Sequence, residues 1–188
     1  MRPHPMVFPL DAGTMSFVVL LRGANLGKRR FSPKAVEAAL SDLNLVNIGA
    51  AGTFVVAKRV SEKALRARIA AELPFEPAPM VIVTESEIEA AMNTGVGISV
   101  PADARRFATA MDARPTHLPK LPIETPKGAE WGVRVASVIG RFALGVRRRV
   151  DVTGVYPNEI VERLFGVEAT TRDWPTMEKI AKVLGIRL

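Results

Sequence analysis

The stretch Val18-Val19-Leu20-Leu21-Arg22-Gly23-Ala24-Asn25-Leu26-Gly27-Lys28-Arg29-Arg30 decides how the chain is read. An apolar run meets an abrupt Arg-Gly, a loop with a second glycine follows, three cations close it, and Ser32-Pro33 then opens a helix. A short apolar run bounded by turn residues predicts a buried strand, and Ser before Pro predicts a helix start. A polar loop held between two rigid elements is a place where backbone N–H groups and cations face a ligand. The same residues therefore predict a fold and a candidate site.

Outward from the first strand, Ser16 to Leu21, the pattern continues. Val36, Ala39, Leu40 and Leu43 recur at helical spacing behind the Ser32 cap. Val46 to Ile48 and Phe54 to Val56 predict two strands around the small-residue turn Gly49-Ala50-Ala51-Gly52, where either glycine gives room for positive φ. Ser61 opens a second helix carrying Leu65, Ile69 and Leu73, which Pro74 ends, and Met80 to Val83 predicts a fourth strand. The order βαββαβ makes residues 15–95 a ferredoxin-like candidate. Thr84 with Glu87 is a capping box for a third helix through Ile88 to Met92, ended by Gly95 and Gly97. Glu85, Glu87 and Glu89, two residues apart, splay around this helix and read as a solvated face.

Residues 96–188 predict a second, looser α+β half. Arg106 to Met111 reads as a strand, whereas residues 113–127, with four prolines between Pro115 and Pro126, read as a long loop or linker. Trp131 to Ile139 and Arg141 to Val146 predict a hairpin turning at Gly140. Its alternation sends Phe142, Leu144 and Val146 inward, Arg141, Arg147 and Arg149 outward, and leaves Arg148 on the buried side. Pro157 starts a helix with Ile160, Val161, Leu164 and Phe165 on one side, and Asp173-Trp174-Pro175 starts the last, with Met177, Ile180, Ala181 and Leu184. The predicted class is α+β, in two ferredoxin-like α/β-sandwich subdomains behind a disordered or extended tail, residues 1–14.

Composition narrows the function. A chain of 188 residues, 48% hydrophobic, can bury a sizeable core. It contains no cysteine, which excludes disulfides, thiolate ligands and cysteine nucleophiles, and fits a cytoplasmic location. No apolar run reaches the ~20 residues of a membrane helix, and three prolines interrupt Met1 to Thr14 where a signal peptide needs an apolar core, so no membrane partner is expected. The net charge of +7 favours phosphates or acidic partners, and it concentrates in Lys28-Arg29-Arg30, Arg105-Arg106 and Arg147-Arg148-Arg149. With only His4 and His117 present, a catalytic triad or a transition-metal cluster has little to build on, and neither metal nor cofactor is expected.

Several stretches together resemble domain-of-unknown-function family 1697, a bacterial group. They are Leu20 through Gly27, the small-residue turn before Phe54, Tyr156-Pro157-Asn158, and Thr170-Thr171-Arg172-Asp173-Trp174-Pro175-Thr176. The resemblance covers nearly everything from Met15 on and implies two α+β subdomains related to the ferredoxin-like arrangement, with no established activity. Where that family has Gln-Ser-Gly-Asn at the turn, this chain has Ala50-Ala51-Gly52-Thr53. Its Gly-Lys after the first loop appears as Lys28-Arg29, and its Arg-Asn-Trp-Asn-Thr as Arg172 to Thr176. If the loop, turn and tail motif form one site, this chain keeps the cations and loses neutral polar groups, which favours a charged ligand.

The candidate ligand residues are accordingly Arg22, Gly23, Asn25, Gly27, Lys28 and Arg29 in the first loop, and Thr171, Arg172, Trp174 and Thr176 around the last helix. The loop is one residue short of a phosphate-binding P-loop, and Arg29 stands where that motif needs Ser or Thr. Each group also has a structural reading. Asn25 can bond its own backbone and Arg22 tie the loop down, while Asp173 caps the helix, Trp174 anchors the core and Arg172 pairs with a carboxylate. Aromatic residues are 6% of the chain, and no strand carries the paired Phe or Tyr of an RNA-stacking sheet. The expected function is a non-catalytic binding module for an anionic, phosphate-bearing ligand or nucleic acid. The alternatives are an enzyme acting on a small phosphorylated or carboxylated metabolite, and a dimerising interaction domain in which sheet edges pair between copies.

Overall fold

The computed structural model describes residues 16–24, 30–76, 79–128, 130–148 and 156–187. The expected tail, Asn25, Gly27, Lys28, Arg29 and Arg149 lie outside them.

The class is α+β. Strand β1 (Phe17–Leu21) leads into α1 (Pro33–Ala39), β2 (Leu45–Asn47), β3 (Thr53–Val56), α2 (Glu62–Ala71) and β4 (Met80–Thr84). These strands form one antiparallel sheet in the order β2-β3-β1-β4. All of β1 is buried because both faces are covered. Phe17, Val19 and Leu21 pack under α1 and α2 against Val36, Leu40, Leu65 and Ile69, while Val18 and Leu20 face the second half. Ser32 and Ser61 cap the two helices by accepting from Ala35 N and Ala64 N, as their spacing predicts.

The second half runs α3 (Glu85–Val96), β5 (Ala104–Met111), β6 (Ile123–Thr125), β7 (Val133–Ile139), β8 (Phe142–Arg148), α4 (Pro157–Phe165), β9 (Ala169–Asp173) and α5 (Trp174–Leu184). Its sheet has the order β6-β7-β8-β5-β9. One face carries Phe107, Met111, Ala143 and Ala169 under α4. The opposite face, with Ala108, Ala110, Phe142 and Leu144, joins Val18, Leu20, Val55, Val81 and Val83 of the first sheet and the buried sides of α3 and α5 in one core. The two sheets are thus welded through shared apolar surface, not strung on a linker.

Three expectations change. The third helix ends at Val96 with Gly97 as its C-cap, as expected, but it runs through Gly95, where the glycine is needed because the Trp174 ring lies against it and would clash with a Cβ. Residues 113–127 include a strand, β6, paired with β7. Residues 169–173 form the edge strand β9 on β5, which hydrophobic alternation could not predict because the stretch is Ala-Thr-Thr-Arg-Asp. Its threonines suit a pleated surface, and that β-branched pair was the available signal.

Candidate functional site

Arg172 sits on the inner face of β9 and is only 6% exposed. Its Nε donates to Thr53 Oγ1 at 2.6 Å, Nη1 to Thr170 Oγ1 at 3.0 Å and Thr171 O at 2.9 Å, and Nη2 to Leu21 O at 2.9 Å, Ala51 O at 3.1 Å and Gly52 O at 3.2 Å. A guanidinium has five N–H groups, and these acceptors engage all of them. Every acceptor is neutral, so the expected carboxylate partner is replaced by carbonyls and hydroxyls. Burial draws the guanidinium's pKa down to about 10, with the Asp173 charge opposing it, and it stays cationic at neutral pH. No donor is left for an outside anion.

The end of β1, the hairpin turn and the tail motif therefore do meet, as a knot between the two sheets. The turn takes part through main-chain carbonyls and the Thr53 hydroxyl, so alanines at positions 50 and 51 cost it nothing. Gly52 is fixed by space and by φ of +68°, since a Cβ there would stand 2.8 Å from the Leu21 side chain. Gly23 likewise has positive φ, at +65°. Arg22 leaves the knot to pair with Glu162 of α4 at 2.8 Å, and Glu162 also accepts from Ala169 N at 3.0 Å. Trp174 is buried in the shared core with the Arg106 guanidinium 4.8 Å above its ring, and Asp173 caps α5 by accepting from both the N–H and the hydroxyl of Thr176. Thr171 is the exception. It lies on the outer face, half-buried, sharing a 2.8 Å hydrogen bond with Thr109.

That outer face ends in a cleft of about 520 Å³ between the β5–β8–β9 surface and the start of α4. Arg105 of β5 and Arg147 of β8 are direct cross-strand partners there, both exposed. The next rows are Phe107 beside Gly145 and Asp173, then Thr109 beside Ala143 and Thr171. Tyr156, Pro157 and Asn158 form the opposite wall. Among the described residues neither Arg105 nor Arg147 has an acidic partner, and Arg147 only approaches the Tyr156 ring, 5.8 Å from its centroid. Directly opposed like charges repel. The Tyr156 side chain makes no cap for α4, whose first-turn N–H groups lack intrahelical partners by construction. The one carboxylate in the wall among the described residues, Asp173, caps α5.

Two arginines near this cleft or expected to face outward are engaged inside the protein. Arg148 pairs with Asp103 at 3.0 Å and stacks on Trp131, 4.2 Å from the ring centroid. Arg141, expected outward, is instead clasped by Glu87 through two 2.7 Å hydrogen bonds and donates to Ile82 O. Glu87 is consequently no part of a solvated face. Burial acts to raise its pKa, but the hydrogen bonds from Arg141 and Thr84 N outweigh that and hold the carboxyl below its ordinary value. Sequence reasoning singled out Thr171 and noted both Arg105 and Arg147 as members of basic runs. It had no means to pair them, because that needed the β5–β8 register.

Among the described residues no group of His, Asp or Glu could hold a metal ion, and no helix is long and apolar enough to cross a membrane. No family model, no curated protein and no solved structure matches the chain.

Proposed function

We propose that the protein is a binding module for a phosphate-bearing anion, received in the cleft between the Arg105–Arg147 end of the second sheet and the start of α4. One observation carries the reading: two exposed arginines are directly opposite on adjacent strands, at the mouth of a cleft, with no acidic partner among the described residues. An anion between them replaces repulsion with two attractions, and guanidinium forks match phosphate geometry. The positive end of α4 adds to the same field. The resemblance to family 1697 belongs to this proposal too, since Tyr156-Pro157-Asn158, Thr171 and Asp173, from two of the stretches that carry it, border the cleft. An enzyme on a small phosphorylated metabolite would use the same cations, but among the described residues the lining offers it no histidine and no carboxylate besides Asp173, which caps α5.

The test is calorimetric titration with inorganic pyrophosphate at two salt concentrations. The expected result is saturable binding that weakens with salt and falls at least tenfold in the Arg105→Gln, Arg147→Gln double variant. Equal affinity in the variant contradicts the proposal. A nucleic-acid strand presents the same groups, and a salt slope of several phosphates instead of one or two identifies it.

A further inference from the structure

Resting on that reading, we infer that the anion is the phosphate of a nucleoside, whose base stacks on Tyr156. The cleft is larger than a phosphate needs, and at about 520 Å³ it lies in the ordinary range for small organic ligands. Tyr156 is half exposed, at 50%, on the wall facing the arginines, and it is the chain's only tyrosine. Its ring is not packed into the α4 core, where Ile160, Val161 and Phe165 supply the apolar contacts. An exposed aromatic beside phosphate-binding arginines is the combination that holds a base by its face and its backbone by charge. Asn158, two residues further and in the first turn of α4, lines the same wall, and its side-chain amide has no hydrogen-bond partner among the described residues. An amide offers two donors and an acceptor, which suits the edge of a base or a ribose hydroxyl. The ligand is thus a phosphorylated nucleoside, free or as one unit of a single strand.

The experiment uses the full chain with its tyrosine ring isotopically labelled, so that Tyr156 gives the only ring signal, and titrates it with ribose 5-phosphate, purine and pyrimidine nucleoside 5′-monophosphates, and a short single-stranded oligonucleotide. The nucleotides are expected to bind about tenfold more tightly than ribose 5-phosphate and to shift the Tyr156 ring resonances upfield through ring-current contact. Tyr156→Phe retains that preference, and Tyr156→Ala erases it while ribose 5-phosphate binding stays. If ribose 5-phosphate binds the wild type as tightly as the nucleotides, this inference is overturned and the anion site survives. If none of the probes responds to Arg105→Gln with Arg147→Gln, both fall. Stronger binding of the oligonucleotide with a steep salt slope assigns the unit to a strand, equal binding assigns it to the free nucleotide, and either upholds the inference. Tyr156 is exposed, so unchanged unfolding midpoints for its variants confirm that the comparison is between folded proteins.

Discussion

Arg172 and the Arg105–Arg147 pair occupy the same sheet on opposite faces, and their guanidinium groups meet opposite fates. On the inner face the charge is buried and every N–H ends on a neutral acceptor from one of three separate segments. On the outer face two charges stand side by side, exposed, with nothing acidic attached among the described residues. An arginine with all donors engaged inside the protein holds the fold together, and one whose donors are open is available to a ligand. Burial thus commits Arg172 to the fold, while the exposed Arg105–Arg147 pair is the one to which we assign binding.

Removing the inner charge should produce the largest effect. Arg172→Met leaves the carbonyls of Leu21, Ala51 and Gly52 and the Thr53 hydroxyl without their donor, and should cost about 3 kcal/mol or more in urea unfolding. A loss under about 1 kcal/mol would mean that the knot is not the fastening between the sheets. Next, Gly95→Ala disturbs the same interior without touching a charge, by driving a methyl into the Trp174 ring. It should destabilise by about 1–3 kcal/mol while leaving cleft binding unchanged, which separates interior damage from loss of ligand.

The Glu87–Arg141 pair lies between the two extremes, partly buried and partly wet. Glu87→Gln should cost about 1 kcal/mol at neutral pH. Because the folded carboxyl titrates below the unfolded one, the wild type's advantage is complete above pH 4.5 and disappears as pH falls through the folded pKa. Unfolding curves of the two proteins should converge in that acid window. The smallest stability effect belongs to the outer pair: Arg105→Gln with Arg147→Gln should change unfolding free energy by no more than about 0.5 kcal/mol, if anything upward, since it removes a repulsion. Here binding, not stability, should fall.

Much of this architecture is legible in the residues. Ser32, Ser61, Thr84 and Asp173 announce four helix starts, and the order of the first half follows from apolar periods alone. Gly95 misleads because a glycine required by a neighbouring ring looks like a helix stop. Residues 169–173 escape because an edge strand with a buried arginine has no apolar alternation to read. The candidate site divides along the same line. Arg172 stands out by its motif, but only the structure shows that its acceptors are main-chain carbonyls from distant segments. Arg105 and Arg147 stand out only as members of basic runs 42 positions apart, and their adjacency is a fact of strand register.

The most direct test of the division between inner and outer arginines is the thermal unfolding midpoint as a function of inorganic pyrophosphate concentration, since a ligand that binds only the folded state raises that midpoint. The wild type and Gly95→Ala should rise together from different starting points, while Arg105→Gln with Arg147→Gln stays flat. A rise in that double variant equal to the wild type's would contradict the account.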